Sequence, residues 1–114
     1  MNTADPRALL RTLFSTAVAA ADPARHVAAA LPPPPAGRVV VVGAGKASAS
    51  MAAAVEAAWP DADLGGVVAV PAHTPAGCRR IELIEAGHPV PDERSVDAAR
   101  RVRALVDGLD ADDL

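Results

Sequence analysis

The chain has 114 residues, of which 51% are hydrophobic but only 2% aromatic, and a formal net charge of −3. That length bounds it to one domain with a core of Ala, Val and Leu, and the acidic balance argues against a nucleic-acid partner. The single cysteine, Cys78, excludes an internal disulfide, no ligand spacing suggests a metal site, and no apolar run resembles a signal peptide or could span a bilayer. A cytoplasmic protein with no membrane partner is the expectation.

Asp5-Pro6 opens the first predicted element, because Asp caps a helix and Pro fits its first position. Leu10, Leu13, Phe14, Ala17 and Val18 then share one helical face, which predicts a packing helix that covers one face of a sheet and ends near Ala21. Asp22-Pro23 starts a second, shorter helix, with Val27 and Leu31 one turn apart. His26 is expected to face solvent on it. These helices form a leader over 1–31. The connector 32–37 follows. Its four prolines, Pro32 to Pro35, favour polyproline II and act as a spacer rather than as a recognition site for a proline-binding domain.

The rest, 38–114, reads as the first part of an α/β domain. Arg38–Val42 is a buried parallel strand, Gly43-Ala44-Gly45 a turn, and Lys46–Ala58 a helix with Met51, Val55, Ala58 and Trp59 toward the core. Gly65-Gly66 precedes a second strand, Val67–Val70. Ile81–Ala86 is a third, whose apolar–acidic alternation places it nearer the sheet edge than the first. The rigid loop Gly87–Asp92 leads to a last helix, capped by Asp92 and stopped at Gly108. Its buried stripe is predicted as Val96, Ala99, Val102 and Val106, with Arg100, Arg101 and Arg103 toward the C-terminal end of the dipole. Asp110–Leu114 reads as a polar exit. The alternation predicts a Rossmann-like, mostly parallel sheet flanked by helices. It is incomplete, because the last helix leads into no strand.

The stretch Val39-Val40-Val41-Val42-Gly43-Ala44-Gly45-Lys46-Ala47 carries the chemistry. A strand that runs into a Gly-x-Gly turn and a helix start exposes N–H groups to an anion. A P-loop does not fit: its spacing needs glycine where Val40 stands and Ser or Thr where Ala47 stands. A dinucleotide fingerprint has its first two glycines in Gly43 and Gly45, but Ser48 holds the third position and Val70-Pro71 offers no acid for a ribose. The remaining reading is a different anion site, with Lys46 projecting from the first turn of the helix. A cation is unfavourable there unless an anion compensates it. His88, held between Gly87 and Pro89 after a strand terminus, either lines the same cleft or belongs to a structural turn. Asp92 reads as a cap, and Cys78 lacks the basic partner that makes a thiol reactive.

Together these residues resemble a known family. Val39 to Ala47, Met51-Ala52, Cys78-Arg79-Arg80-Ile81-Glu82 and Glu85-Ala86-Gly87-His88-Pro89-Val90-Pro91-Asp92, with the leader Arg7-Ala8-Leu9-Leu10 and Phe14, are similar to the N-terminal region of the type-2 glycerate kinases. This is the MOFRL-associated family, whose members also carry the name hydroxypyruvate reductase. The resemblance implies an ATP- and Mg²⁺-dependent kinase that phosphorylates D-glycerate at its 2-hydroxyl. It also implies a catalytic lysine at Lys46, which either stabilises the transferred phosphoryl group or fixes the substrate carboxylate. The family's chains are several times longer and continue into a strand, a Ser-Gly-Gly-Gly-Ser loop and a second domain. The expectation is therefore a fragment that is inactive alone and binds neither ATP nor Mg²⁺ tightly. An NAD(P)-dependent reductase, supported by Gly43 and Gly45, is one alternative. A non-catalytic module that self-associates through an open sheet edge is the other.

Overall fold

A computed structural model describes residues 5–114 in seven elements, in the predicted order. They are α1 (Pro6–Ala20), α2 (Pro23–Ala30), β1 (Val39–Ala44), α3 (Ser48–Ala58), β2 (Leu64–Val70), β3 (Ile81–Glu85) and α4 (Glu93–Asp107). Asp5 and Asp22 accept hydrogen bonds from Arg7 N and Ala24 N, each 2.9 Å, so both Asp-Pro pairs start helices. The three strands are parallel in the order β1-β2-β3, and helices flank them to make an open α/β sheet.

β2 is the centre of the fold. Its side chains alternate between faces. Leu64, Val68 and Val70 pack with Ala49, Ala52 and Trp59 of the α3 side, and Ala69 packs with Ala98 of α4 and with Ala86. Val68 is 1% exposed, and burying a valine so fully contributes about 2 kcal/mol. The small side chains of α3 let it sit close to the sheet, so a core with one Trp and no buried Phe is still filled.

Gly65 and Gly66 lie inside β2 instead of preceding it. Gly66 has φ +146°, and a Cβ there would overlap the Val41 backbone of β1. Glycine is therefore what lets the two strands meet. Strand β1 likewise runs two residues further than expected, through Gly43 and Ala44, and is not the buried centre. It lies on one side of the sheet, with Val42 38% exposed.

Three other expectations are corrected. Helix α1 covers no face of the sheet: none of its residues is buried, and Leu10, Leu13, Phe14 and Val18 are 56–72% exposed. The radius of gyration, 17.4 Å, exceeds the ~13 Å of a compact chain of this length because α1 stands away from the rest. Met51 is also exposed, not in the core. On α4 the inward line is Ala98, Val102 and Leu105, whereas Val96, Ala99 and Val106 are exposed. The helix is rotated so that its alanine meets Ala69.

The stretch after α4 is not a free polar exit. Leu114 N donates to Arg38 O (2.9 Å) and Val40 N donates to Leu114 O (2.8 Å), the two-bond pattern of a parallel pair beside β1. Asp113 secures it by accepting from Arg38 N and from the Arg38 guanidinium, both at 2.7 Å. A second clamp joins α3 to β3. The Glu56 carboxylate accepts from the Arg79, Arg80 and Ile81 amides, while the Arg80 guanidinium donates to the Glu56, Trp59 and Ala62 carbonyls at the end of α3. Those amides, with the Arg80 charge, hold Glu56 below the usual carboxylate range, although burial, the largest single influence, acts the other way. No helix among the described residues is long and apolar enough to cross a membrane.

Candidate functional site

The C-terminal ends of the three strands carry the loops singled out in the sequence. The end of β1 passes into Gly45, whose φ of +121° reverses the chain with open space where a side chain would be. Gly45 N donates to Ala69 O of β2 (3.1 Å). The hydroxyl of Ser48 lies 2.6 Å from Gly45 O and 3.1 Å from Ala69 O, so it ties the turn to the sheet.

Lys46 stands in this turn, exposed, two residues before α3 begins, and not in the helix's first turn as expected. The N-terminal end of α3 is capped at Ala47, with no side chain satisfying it and no acidic residue in its first turn. Lys46 has no ion-pair partner among the described residues. A full positive charge beside a helix start with no side-chain cap and no first-turn carboxylate makes a local positive potential that no ion pair among the described residues offsets.

His88 lies in the loop after β3, exposed, with a cis bond to Pro89. The loop is closed by Asp92, whose Oδ1 accepts from Gly87 N (3.1 Å) and Ser95 N (3.2 Å). Asp92 and Ser95 form a reciprocal capping box at the start of α4. The Arg94 guanidinium, and then the Gly87 and Ser95 amides, hold the Asp92 carboxyl below its usual range against a partial burial penalty. Asp92 is thus the cap that the sequence suggested.

Lys46 and His88 do not line one cleft. They border two clefts on opposite sides of a ridge formed by Val42, Gly43, Ala44 and Gly45. One, of about 600 Å³, runs from the ridge to His88, Pro89 and the first half of α4. The other, of about 500 Å³, runs from the ridge and Lys46 to Met51 of α3 and to Val27 and Leu31 of α2. Apart from Lys46, His88 and two serines, the walls are backbone and apolar side chains. No group of three His, Cys, Asp or Glu that could hold a metal occurs among the described residues.

His73 adopts φ +63° and donates its amide to Glu85 (3.2 Å), away from both clefts' walls. Burial, and then the Glu56 charge, raise the Cys78 thiol, which contacts Ala49 O, and so disfavour its thiolate. The residue that sequence reasoning passed over is Ser48, noted there only as a missing glycine. Its signal was a hydroxyl three residues after Gly45, where a helix start faces a strand end.

Comparison with known proteins gives the family of the chain. A family model described as "domain of unknown function (DUF4147)" matches residues 9–114. A protein of Agrobacterium vitis with the provisional name hydroxypyruvate reductase is 55% identical over 113 residues, 99% of this chain and 26% of that protein. The D-glycerate 2-kinase of Thermotoga maritima is 37% identical over 96% of this chain and 27% of its own length. The glycerate 2-kinase of Pyrococcus horikoshii is 31% identical over the same shares. No solved structure matches. The chain spans about a quarter of the length of these relatives.

Proposed function

We propose, for a chain that belongs to the DUF4147 family as the N-terminal region of the glycerate 2-kinases, that the segment Gly43–Lys46, from the end of β1 into the turn, is the anion-handling wall of an ATP-dependent phosphotransferase site acting on D-glycerate. The observation that carries the reading is Lys46 itself, exposed and without an ion-pair partner among the described residues, beside a helix start with no side-chain cap.

In this reading the γ-phosphoryl group of ATP passes to the 2-hydroxyl of glycerate, leaving ADP, and the hydroxyl proton departs. Such transfers depend mainly on positioning and on stabilising charge. The ridge amides and the Lys46 ammonium supply a fixed positive field, on the phosphoryl oxygens or on the substrate carboxylate. The two roles separate kinetically: the first lowers kcat when Lys46 is removed, and the second raises KM. In this reading the 114-residue chain, which spans about a quarter of the length of its relatives, transfers no phosphoryl group by itself.

The name of the 55%-identical relative supports a reductase as the second reading. Against it, β2 ends at Val70-Pro71 with no carboxylate to hold a ribose. Incubating the full-length protein with D-glycerate, ATP and Mg²⁺, and in parallel with hydroxypyruvate and NADH or NADPH, decides between them. The proposal expects 2-phosphoglycerate in the first and no cofactor oxidation in the second. A folded protein that oxidises the cofactor and makes no phosphoglycerate contradicts it.

A further inference from the structure

We propose that Ser48 is a positioning residue for Lys46, a claim that rests on the anion-handling reading of the turn. The hydroxyl of Ser48 has one proton and two carbonyls within reach, Gly45 O at 2.6 Å and Ala69 O at 3.1 Å. Gly45 O belongs to the turn, and Ala69 O to the rigid central strand. The same Ala69 O accepts the Gly45 amide. One side chain at the first residue of α3 therefore fixes the short segment Gly45–Ser48 at both ends, against the sheet and against itself. Lys46 lies inside that segment, whose other ties are two backbone hydrogen bonds, Gly45 N to Ala69 O and Ser48 N to Gly45 O, and no side chain caps α3. The direction in which the lysine leaves the ridge is set by this bridge.

The bridge is dispensable for folding. Without the hydroxyl, Gly45 O still accepts the Ser48 amide (3.3 Å) and Ala69 O still accepts the Gly45 amide (3.1 Å), so neither carbonyl is left unpaired. Ser48→Ala therefore loosens the turn rather than unfolding the domain, and Ser48→Thr keeps the hydroxyl and the bridge.

Two measurements test this. In the 114-residue chain, amide hydrogen exchange at Gly45 is expected to quicken about tenfold in Ser48→Ala and to return toward wild type in Ser48→Thr. Unchanged exchange overturns the proposal whatever the enzyme does. In the full-length protein, Ser48→Ala is expected to lower phosphoryl transfer about tenfold, Ser48→Thr to restore it, and Ser48→Ala added to Lys46→Ala to cost nothing further. A loss that persists in the Lys46→Ala background shows that Ser48 acts on its own and contradicts the positioning role. If Lys46→Ala keeps full activity, the reading of Lys46 fails. Altered exchange with an intact lysine-free enzyme distinguishes that failure from a failure of the bridge.

Discussion

Two adjacent glycines show how finely single positions are set. A Cβ on Gly65 would meet its nearest neighbour, Arg80 O, at 3.9 Å, an ordinary contact, whereas a Cβ on Gly66 would overlap the Val41 backbone. Gly65→Ala is expected to keep cooperative thermal unfolding, and Gly66→Ala to abolish it by forcing β1 and β2 apart. Equal melting of the two variants would contradict the register described for these strands. Asp113 makes a second residue-scale prediction. Its pKa is lowered from 3.8 to about 2, first by the Arg38 guanidinium and then by the Asp110 and Arg38 amides. A carboxylate depressed in the folded state stabilises above the unfolded value, and that contribution is lost as pH falls from 3.8 toward about 2. An NMR titration should place its midpoint near 2, and Asp113→Asn should flatten the stability profile over that window. A midpoint at 3.8 would mean that the tie to β1 is absent.

Among the elements, α1 departs furthest from its sequence. Its apolar residues fall on one face as the spacing requires, yet that face meets nothing among the described residues strongly enough to bury a residue. Leu13→Ser with Phe14→Ser should shift the Tm of the 114-residue chain by no more than about 3 °C, since exposed positions carry little folding energy. A drop of about 10 °C or more would show that the helix packs after all. The same comparison shows what was legible. Both Asp-Pro starts, the Asp92 cap, the strand order along the chain and a turn at Gly45 between a strand and a helix followed from local chemistry, which one stretch of sequence carries by itself. Amphipathicity says that a face can be buried, not that a partner is there, so α1 was misplaced. Alanines on α4 satisfy two offset stripes equally well, and only contact with Ala69 selects the one containing Ala98. The site followed the same rule. That Lys46 follows a strand end and a glycine was readable from type and spacing, whereas its place before α3, outside the helix, was not. The separation of Lys46 from His88 by that ridge was not, because which side of a sheet a loop falls on depends on the helices that pack there. Ser48 was hidden because its second partner, Ala69, is distant in sequence.

At the scale of the whole molecule, the sheet holds two clefts that share one ridge and stay open on their far sides. β2 is covered on both faces and paired on both edges, so the ridge at the end of β1 rests on the most rigid part of the fold. The outer edge of β1 is paired only as far as Leu114 reaches, through Arg38 and Val40. A turn anchored this way can hold a charge in place without moving as a ligand arrives, which is what electrostatic stabilisation of a transferring group needs. The central claim is that Lys46 supplies that charge. Its most direct test is Lys46→Ala in the full-length protein, with ATP, Mg²⁺ and D-glycerate. The account predicts an unchanged melting temperature and turnover lowered about 100-fold or more, whereas a folded variant that forms 2-phosphoglycerate at the wild-type rate and KM would contradict it.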